Sequence, residues 1–293
     1  MTTPVPRSAA NRALAHVAGL ARGGPLDASW RATLHFHPDR LVAGTPVLRA
    51  MAADGRYRSQ FETGTGNGGL TAHPGGDRWR WESRLFGGAY DDAPAAERPV
   101  YGSLNHRRRS VGGSPRFGSA HLRLAADALS RTTFCYPDSV FEPVDVGNAS
   151  RAAVVGLADA ATRSGDLDPL DDYVEAHVHG GVRFGRDVEA LVLDPCHRGT
   201  DVERDAALLG VPVEWHPGFA TTVDVVAAHP GYRGADVVAA AARIAAADGV
   251  LTARVVGDAV RAGLEDEQVL KRVWHCVARF GRPRVEAPDG AAG

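Results

Sequence analysis

The chain has 293 residues, enough to bury the core of one large domain or of a core domain with a smaller appendage. Its content of 44% hydrophobic and 23% charged residues is typical of globular proteins and excludes wholesale disorder. A net charge of -2 excludes a globally basic surface, so we expect neither nucleic acid nor a membrane as a partner.

The cysteines and the hydropathy pattern point to a cytoplasmic protein. Cys135, Cys196 and Cys276 are odd in number and have no metal-ligand spacing, which favours a reducing compartment and packing roles for the first two. No apolar run approaches the roughly 20 residues of a membrane helix, and the first residues lack the pattern of a signal peptide. We therefore expect cytoplasmic localisation.

Hydrophobic periodicity predicts an α+β fold in three segments. Residues 1–30 form an N-terminal helical segment, with a helix over 9–21. Residues 31–230 alternate strands and helices and form the catalytic or ligand-binding domain, built on a mixed or antiparallel sheet. Residues 231–293 have a wholly helical pattern and form a C-terminal appendage with a disordered tail.

Within this plan, the elements follow from residue spacing and turn signals. Strands are predicted over residues 32–37, 121–124, 172–178, 187–194 and 211–216. Residues 129–136 are predicted to end a helix and continue as a further strand. Helices are predicted over residues 45–53, 154–161, 201–209, 235–247 and 258–280. Residues 57–90 have no regular period, and their glycines and aromatic residues favour a pocket built from loops.

Two histidines end the first predicted strand. Alternation places His35 and His37 on one face, a geometry in which two strand residues can bind one metal ion, and Asp39 extends that face. Alternatively, one imidazole packs in the core and the other caps a loop. Further ligands for a metal would come from the set Glu175, His177, His179, His197 and His216.

A second alternating run lies on the later strand 172–178. Glu175, His177 and His179 share one face, directly before the pair Gly180 and Gly181. Three ionisable groups are costly to bury without partners or a task, which favours a functional site. The alternative is a partly exposed sheet face.

Two other segments have the composition of anion-binding sites. Residues 60–69 combine Gln60, Glu62 and Thr63 with glycines whose N–H groups suit phosphate or ribose oxygens, without matching a Walker A or a dinucleotide motif. The dense basic cluster consists of residues 107–109, including Arg108, together with Arg116, and arginine suits pyrophosphate or carboxylate. A structural glycine turn and a solvated charged run are the alternatives.

Several segments together carry a resemblance. Residues 57–64, 81–82, 86–90, 101–105, 115–119, 132–134, 138–139 and 175–180 resemble an uncharacterised actinobacterial protein family over roughly residues 30–280. The order of the parts is also similar, more loosely, to the mono-ADP-ribosyltransferase toxin fold. That fold has a first strand with His or Arg, a middle strand with Ser, Thr or Tyr, and a late strand with a catalytic Glu.

The resemblance implies a sheet core of ADP-ribosyltransferase type and NAD as the substrate. Glu175, with His177 beside it, would stabilise the oxocarbenium-like transition state as nicotinamide leaves. The other implied NAD contacts are His37 or Arg58 at the ribose or diphosphate, Ser119 or Thr132 in the middle-strand role, and Tyr101 stacking on nicotinamide. The acceptor, a small molecule or a protein, stays open, as does the choice between transfer and NAD hydrolysis.

Two other functions remain open. The first is a metal-dependent hydrolase in which His35, His37 and His179 or carboxylate partners hold Zn²⁺ or Mn²⁺. The second is a non-enzymatic module whose arginines bind an anionic partner and whose C-terminal helices form an interaction surface.

Overall fold

One eight-stranded sheet organises the computed structural model, which describes residues 8–64, 71–165 and 167–283. Its strands are β1 Ala32–Phe36, β2 Val100–Leu104, β3 Ala120–Leu124, β4 Thr132–Cys135, β5 Val146–Asn148, β6 Val174–Val178, β7 Val188–Leu193 and β8 Val213–Trp215. The order across the sheet is β8-β7-β3-β1-β2-β6-β4-β5, and only the edge pair β7 and β8 is parallel. The predicted α+β class with a mixed sheet is therefore confirmed.

Helices and short strand pairs surround this sheet. The helices are α1 Ala9–Leu20, α2 Val47–Asp54, α3 Gln60–Thr63, α4 Asp77–Leu85, α5 Ala153–Ser164, α6 Phe184–Asp187, α7 Asp201–Ala206, α8 Val223–Ala227, α9 Ala235–Ile244, α10 Ala253–Arg261 and α11 Glu267–Phe280. The short antiparallel pairs are Arg56–Tyr57 with Val182–Arg183, Leu41–Val42 with Thr45–Pro46, and Ala220–Thr222 with Val250–Thr252. No helix in the described ranges has both the length and the apolar character needed to cross a membrane.

The two faces of the sheet differ in chemical character. One face is apolar, with Leu34, Leu122 and Phe134 in a core that also contains side chains of α2, α5 and α7. Because strand residues alternate between faces, the intervening positions define a second face, which we call the polar face. Its buried polar residues include Thr33, His35, Ser103, His121, Thr133, Glu175 and His177.

A loop lies directly on the polar face. The N–H of Gly113 donates to Thr33 Oγ1 at 3.0 Å, and the N–H of Ser114 donates to His35 Nε2 at 3.2 Å. Gly112 has φ +84°, and a Cβ atom there would lie 2.3 Å from His35 Nε2. Glycine is required at this position both for its backbone conformation and for the close approach.

The rest of the cover comes from both ends of the chain. Near the N-terminus, α1 and α4 build a small core that includes Phe86, Tyr90 and Cys135. Near the C-terminus, helices α8 to α11 form a separate core around Leu251 and Trp274. The polar face is therefore enclosed on most of its area, and its charged groups need internal partners.

Three details differ from the sequence-based expectations. The segment 57–90 contains the regular helix α4, whose buried residues Arg78, Glu82 and Leu85 have helical spacing, although two of them are charged. The C-terminal segment is not wholly helical, because it includes the strand Val250–Thr252, which pairs with Ala220–Thr222. The expected helix over 258–280 is two helices, separated at Gly263 and restarted by the N-cap Asp266. The tail from residue 284 onward lies outside the described residues.

A candidate active site on the polar face

Glu175 and His177 lie side by side on strand β6, near the middle of the sheet. Both are buried, with 5% and 1% of their surfaces exposed. His177 Nε2 lies 2.7 Å from Glu175 Oε1, a contact that becomes an ion pair when the imidazole is protonated. The structure therefore brings the two predicted catalytic residues together.

Both oxygens of the Glu175 carboxylate have partners. Oε1 faces His177, and Oε2 accepts from the N–H of Ser139 at 3.4 Å and from its hydroxyl at 3.2 Å. Burial by itself would raise the pKa of Glu175, but the His177 contact, the charge of Arg78 and the Ser139 hydrogen bond more than offset it. The net pKa lies below its ordinary value, so the buried carboxylate is ionised at neutral pH.

A chain of hydrogen bonds leads away from His177. Its Nδ1 lies 3.2 Å from Thr133 Oγ1, which lies 2.9 Å from His179 Nε2, and His179 Nδ1 lies 2.7 Å from the hydroxyl of Tyr90. Burial is the main cause that lowers the pKa of His179 to about 3, so this imidazole is neutral. If Tyr90 donates to His179, each following group can donate in turn and the chain ends at Glu175. This arrangement is able to relay a proton to or from the carboxylate.

Helix α4 brings two charged residues to the same region. Arg78 Nη1 donates to Ser139 Oγ at 3.1 Å, and its guanidinium lies 4.2 Å from the centroid of the Tyr101 ring. Four residues on, Glu82 accepts from Arg98 at 2.7 Å and from the Tyr101 hydroxyl at 3.1 Å. Burial raises the pKa of Glu82 to about 7 even with Arg98 beside it. The positively charged Arg78 therefore lies on one side of Glu175 and donates to its partner Ser139.

A second carboxylate and an apolar rim lie on the other side of Glu175. Asp138, whose neighbour Ser139 holds Glu175, accepts a hydrogen bond from Tyr173. Burial, and then the charge of Glu175, raise the pKa of Asp138. The ring of Phe117 packs edge-on against Tyr173 at 5.5 Å between centroids.

We define the apolar rim as Phe117, Val140 and Phe141. These side chains are 44%, 51% and 49% exposed, unusually high for large apolar residues. Val140 and Phe141 directly follow Ser139, so the rim lies where the buried carboxylates approach solvent. An exposed apolar surface beside a buried polar centre is typical of a ligand site.

Cys135 also contacts Glu175 and His177. Its Sγ lies 3.9 Å from Glu175 Oε1 and 4.0 Å from His177 Nε2. These three residues are the one group of potential metal ligands found among the described residues. Burial and the charge of Glu175 raise the pKa of the Cys135 thiol well above its ordinary value, which opposes a role as nucleophile.

Two predicted NAD contacts lie on the strands beside β6. Tyr101 is directly opposite His177, but Arg78 covers one face of its ring and the His177 ring packs against it edge-on at 5.1 Å. Thr132 faces away from the site, and its hydroxyl donates to the Ala128 carbonyl. The adjacent Thr133 takes the position beside the histidines, because neighbouring residues of a strand point to opposite faces.

The histidines proposed as alternative metal ligands are not brought together. Both ring nitrogens of His35 have backbone partners, Gly118 and Ser114, and both of His179 have hydroxyl partners. His37 packs against Trp274 with 5.2 Å between ring centroids. The metal set His35, His37 and His179 is therefore wrong as a geometric group in the described residues.

The predicted loop residues mostly have local partners. Arg58 pairs with Asp54, Glu62 pairs with Arg56 and closes a capping box with Ser59, and the hydroxyl of Thr63 donates to the Ser59 carbonyl. Gln60 begins helix α3. The next residue, Phe61, packs its ring against the guanidinium of Arg98. The glycine-rich residues 65–70 lie outside the described residues.

The basic cluster and Ser119 lie apart from Glu175. Arg108 pairs with Asp27 on the surface, where its side chain is 60% exposed. Ser119 is buried at the start of β3, and its carbonyl accepts from His216 Nε2 at 2.7 Å. Arg116 is the member of the basic cluster that approaches the site, through its neighbour Phe117.

Sequence analysis missed most of the residues that surround Glu175 and His177. They are Arg78, Glu82, Tyr90, Arg98, Thr133, Asp138, Ser139 and Tyr173. A helical interpretation of residues 77–85 would have placed Arg78 and Glu82 on one face, which was the available signal. Nothing in the spacing along the chain links the others to β6, because they come from separate strands and turns.

The comparison with known families gives one match. A family model described as a protein of unknown function (DUF3626) matches residues 31–162 and 157–280, which is most of the chain. The chain belongs to this family. The matched region contains the whole sheet, the Glu175 site and the C-terminal helices. No curated protein matches the chain.

Proposed function

We propose that this member of the DUF3626 family is an NAD-cleaving enzyme of the mono-ADP-ribosyltransferase-like kind, with Glu175 as its catalytic carboxylate. The observation that carries the proposal is a buried, ionised carboxylate held at both oxygens beside an exposed apolar rim. Cleavage of an N-glycosidic bond needs a fixed negative charge beside the ribose as positive charge develops on it. A preorganised charge in a water-poor site stabilises such a transition state strongly.

The chemistry can be followed through the residues of this chain. The bond between ribose C1′ and the nicotinamide nitrogen breaks, and its electron pair leaves with nicotinamide. Water or an acceptor nucleophile then bonds to C1′ and releases a proton. In this scheme His177 accepts that proton as the general base, the ionised Glu175 stabilises the resulting imidazolium, and Thr133 and His179 hold the His177 ring in place; the imidazolium releases the proton to water once the products leave.

The apolar rim suits the leaving group. Nicotinamide is flat and largely apolar, and Phe117 and Phe141 are the exposed rings beside Asp138 and Ser139. Tyr101, which the resemblance suggests for this stacking, has one ring face covered by Arg78. We therefore assign the stacking surface to the rim.

The test is release of nicotinamide from NAD by the purified full chain, followed by chromatography. We expect release that continues in the presence of a strong chelator, because no step uses a metal. Release that stops with the chelator and returns with Zn²⁺ would contradict the proposal, and so would no release with water or with any added acceptor.

A second candidate function is supported by the group of Cys135, Glu175 and His177. A thiolate, a carboxylate and an imidazole with ligand atoms within 4.8 Å of one another form a suitable set for Zn²⁺. Metal would lower the pKa of the thiol and activate water for hydrolysis. Stoichiometric zinc in the purified protein that disappears in Cys135→Ala would favour this candidate.

A further inference from the structure

A group of basic side chains lies between the sheet and the C-terminal helices. We call Arg116, Arg233, Lys271 and His275 the cationic cleft. Lys271 and His275 are four residues apart and share one face of α11. Trp274 Nε1 donates to the Pro115 carbonyl at 3.0 Å, which holds α11 against the turn that carries Arg116.

The fourth member comes from the turn before α9. Arg272 Nη1 donates to the Arg233 carbonyl at 2.7 Å, so this turn is fixed to α11 as well. The cleft is thus assembled from three separate segments of the chain. Both contacts to α11 use a backbone carbonyl, that of Pro115 or that of Arg233.

Several polar nitrogen atoms in the cleft are buried without a partner. They are Nε of Arg116, Nε and Nη2 of Arg233, and both ring nitrogens of His275, none of which has a hydrogen-bond partner among the described residues. His275 is only 3% exposed. A buried polar group without a partner costs about 1–3 kcal/mol, so an arrangement with several such groups calls for a ligand.

Two acidic residues offset part of the positive charge of the cleft. Arg116 pairs with Asp171, and Arg233 Nη2 lies 3.6 Å from Asp171 and 3.8 Å from Asp168, within ion-pair range but beyond hydrogen-bond distance. Burial and the two arginines lower the pKa of Lys271 to about 8, and burial with the same charges lowers that of His275 to about 2. The positive charges in the cationic cleft therefore favour binding of an anion there.

The cleft is next to the proposed active site. Arg116 directly precedes Phe117 of the apolar rim, whose ring packs against Tyr173, the residue that donates a hydrogen bond to Asp138. A ligand with its base stacked on Phe117 would therefore extend its phosphates toward Arg116.

We propose that the cationic cleft binds the diphosphate of the dinucleotide substrate, with His275 at its floor and Arg116, Arg233 and Lys271 around the phosphate oxygens. This inference rests on the proposed function for the identity of the substrate. Free pyrophosphate has the same phosphate chemistry as the dinucleotide, so the experiment must distinguish these two ligands.

Calorimetric titration of the full chain with inorganic pyrophosphate and with ADP-ribose tests the inference. We expect both probes to bind, and Lys271→Met and Arg233→Gln each to weaken both by about tenfold or more. The control is Arg243→Gln, which removes an exposed arginine paired with Glu265 in the same helical unit. Unfolding midpoints show whether each variant is folded.

Kinetics provide an independent measurement. Lys271→Met should raise KM for NAD by a similar factor and change kcat by less than about twofold. Release of nicotinamide from nicotinamide riboside, which has no phosphate, should be unchanged. A substitution that only disturbed the fold would affect both substrates alike.

The outcomes separate the two proposals. If neither probe binds, or both variants bind as Arg243→Gln does, the cleft is not a phosphate site. If pyrophosphate binds and ADP-ribose does not, the dinucleotide assignment is wrong. If ADP-ribose binding depends on Lys271 and no nicotinamide is ever released, the phosphate site stands and the proposed cleavage fails.

Discussion

Thr132 and Thr133 are adjacent on β4, and only one of them belongs to the candidate site. The Thr133 hydroxyl connects His177 to His179, whereas the Thr132 hydroxyl donates to the Ala128 carbonyl on the other face. The alternation of a strand is readable from sequence, but which face meets the site is set by the neighbouring strands. This is why the sequence pointed to β4 but to Thr132, not to Thr133, which lies beside the histidines.

Thr133→Val tests the hydrogen-bond chain. Valine has the same shape and no hydroxyl, so the two imidazoles lose their connection. We expect kcat for nicotinamide release to fall by about 10- to 100-fold and stability to fall by about 1–3 kcal/mol. The matched control Thr132→Val should lower stability by about 1 kcal/mol with unchanged kcat. Equal kcat in the two variants would show that this hydrogen-bond chain does not contribute to turnover.

Cys135 is the residue that distinguishes direct carboxylate catalysis from thiol or metal chemistry. Because burial keeps its pKa well above the ordinary value, we expect no reaction with a thiol reagent until the protein unfolds. Cys135→Ala should retain nicotinamide release within about threefold. Loss of all activity in this variant, with an unchanged unfolding midpoint, would favour the nucleophile or the metal ligand.

Helix α4 shows at the scale of an element why sequence periodicity failed. A surface helix is recognised by an apolar stripe, but α4 buries Arg78 and Glu82 against the polar face and leaves its tryptophans partly exposed. Six of the eight strands and the α1, α5 and α9 helices have apolar faces in the ordinary sense, and their approximate bounds could be predicted from the sequence. Strands β2 Val100–Leu104 and β5 Val146–Asn148 were not predicted.

The buried pair of Glu82 and Arg98 holds α4 on the sheet. Both side chains are almost fully buried and their charged atoms are 2.7 Å apart. We expect Arg98→Met to lower the free energy of unfolding by about 3–5 kcal/mol, since Glu82 is left buried without its cation. Adding Glu82→Gln should recover part of this loss in a double-mutant cycle measured by denaturant unfolding. Strictly additive effects would mean that the pair does not stabilise α4.

At the scale of the whole molecule, the enclosed polar face predicts sensitivity to acid. Burial lowers the pKa of His35, His37 and His179 to about 3 and that of His275 to about 2. The unfolded chain binds these protons near pH 6.5, so the free energy of unfolding falls as pH drops from 6.5 toward 3. Each of these histidines lowers the free energy of unfolding by about 2 kcal/mol at pH 5.

Glu82 acts in the opposite direction. Because its pKa is raised to about 7, Glu82 binds a proton in the folded state at a higher pH than in the unfolded chain. This adds about 2–3 kcal/mol to the free energy of unfolding as pH falls from 8 to 5. Four histidines outweigh one carboxyl group, so we expect several kcal/mol less stability at pH 5 than at pH 8 in urea unfolding. His179→Gln should reduce this pH dependence, and the exposed His73→Gln should not. Equal stability at the two pH values would contradict the assignment of neutral buried histidines.

The fold class and the contact between Glu175 and His177 were within reach of the sequence, and the construction of the candidate site around them was not. Alternation put Glu175 and His177 on one face, and the structure confirms their contact. Their partners come from α4, the neighbouring strands and the turn at Ser139 through long-range packing. Such contacts have no local signal in the chain.

Glu175→Gln measures the central claim most directly. Glutamine keeps the shape and the Ser139 contact but removes the negative charge that the account assigns to catalysis. We predict a loss of nicotinamide release of at least 100-fold, a small change in unfolding midpoint and unchanged binding of ADP-ribose. The control is Glu189→Gln, a substitution at a surface carboxylate on β7 that pairs with Arg31. Release by Glu175→Gln at the rate of Glu189→Gln would contradict the account.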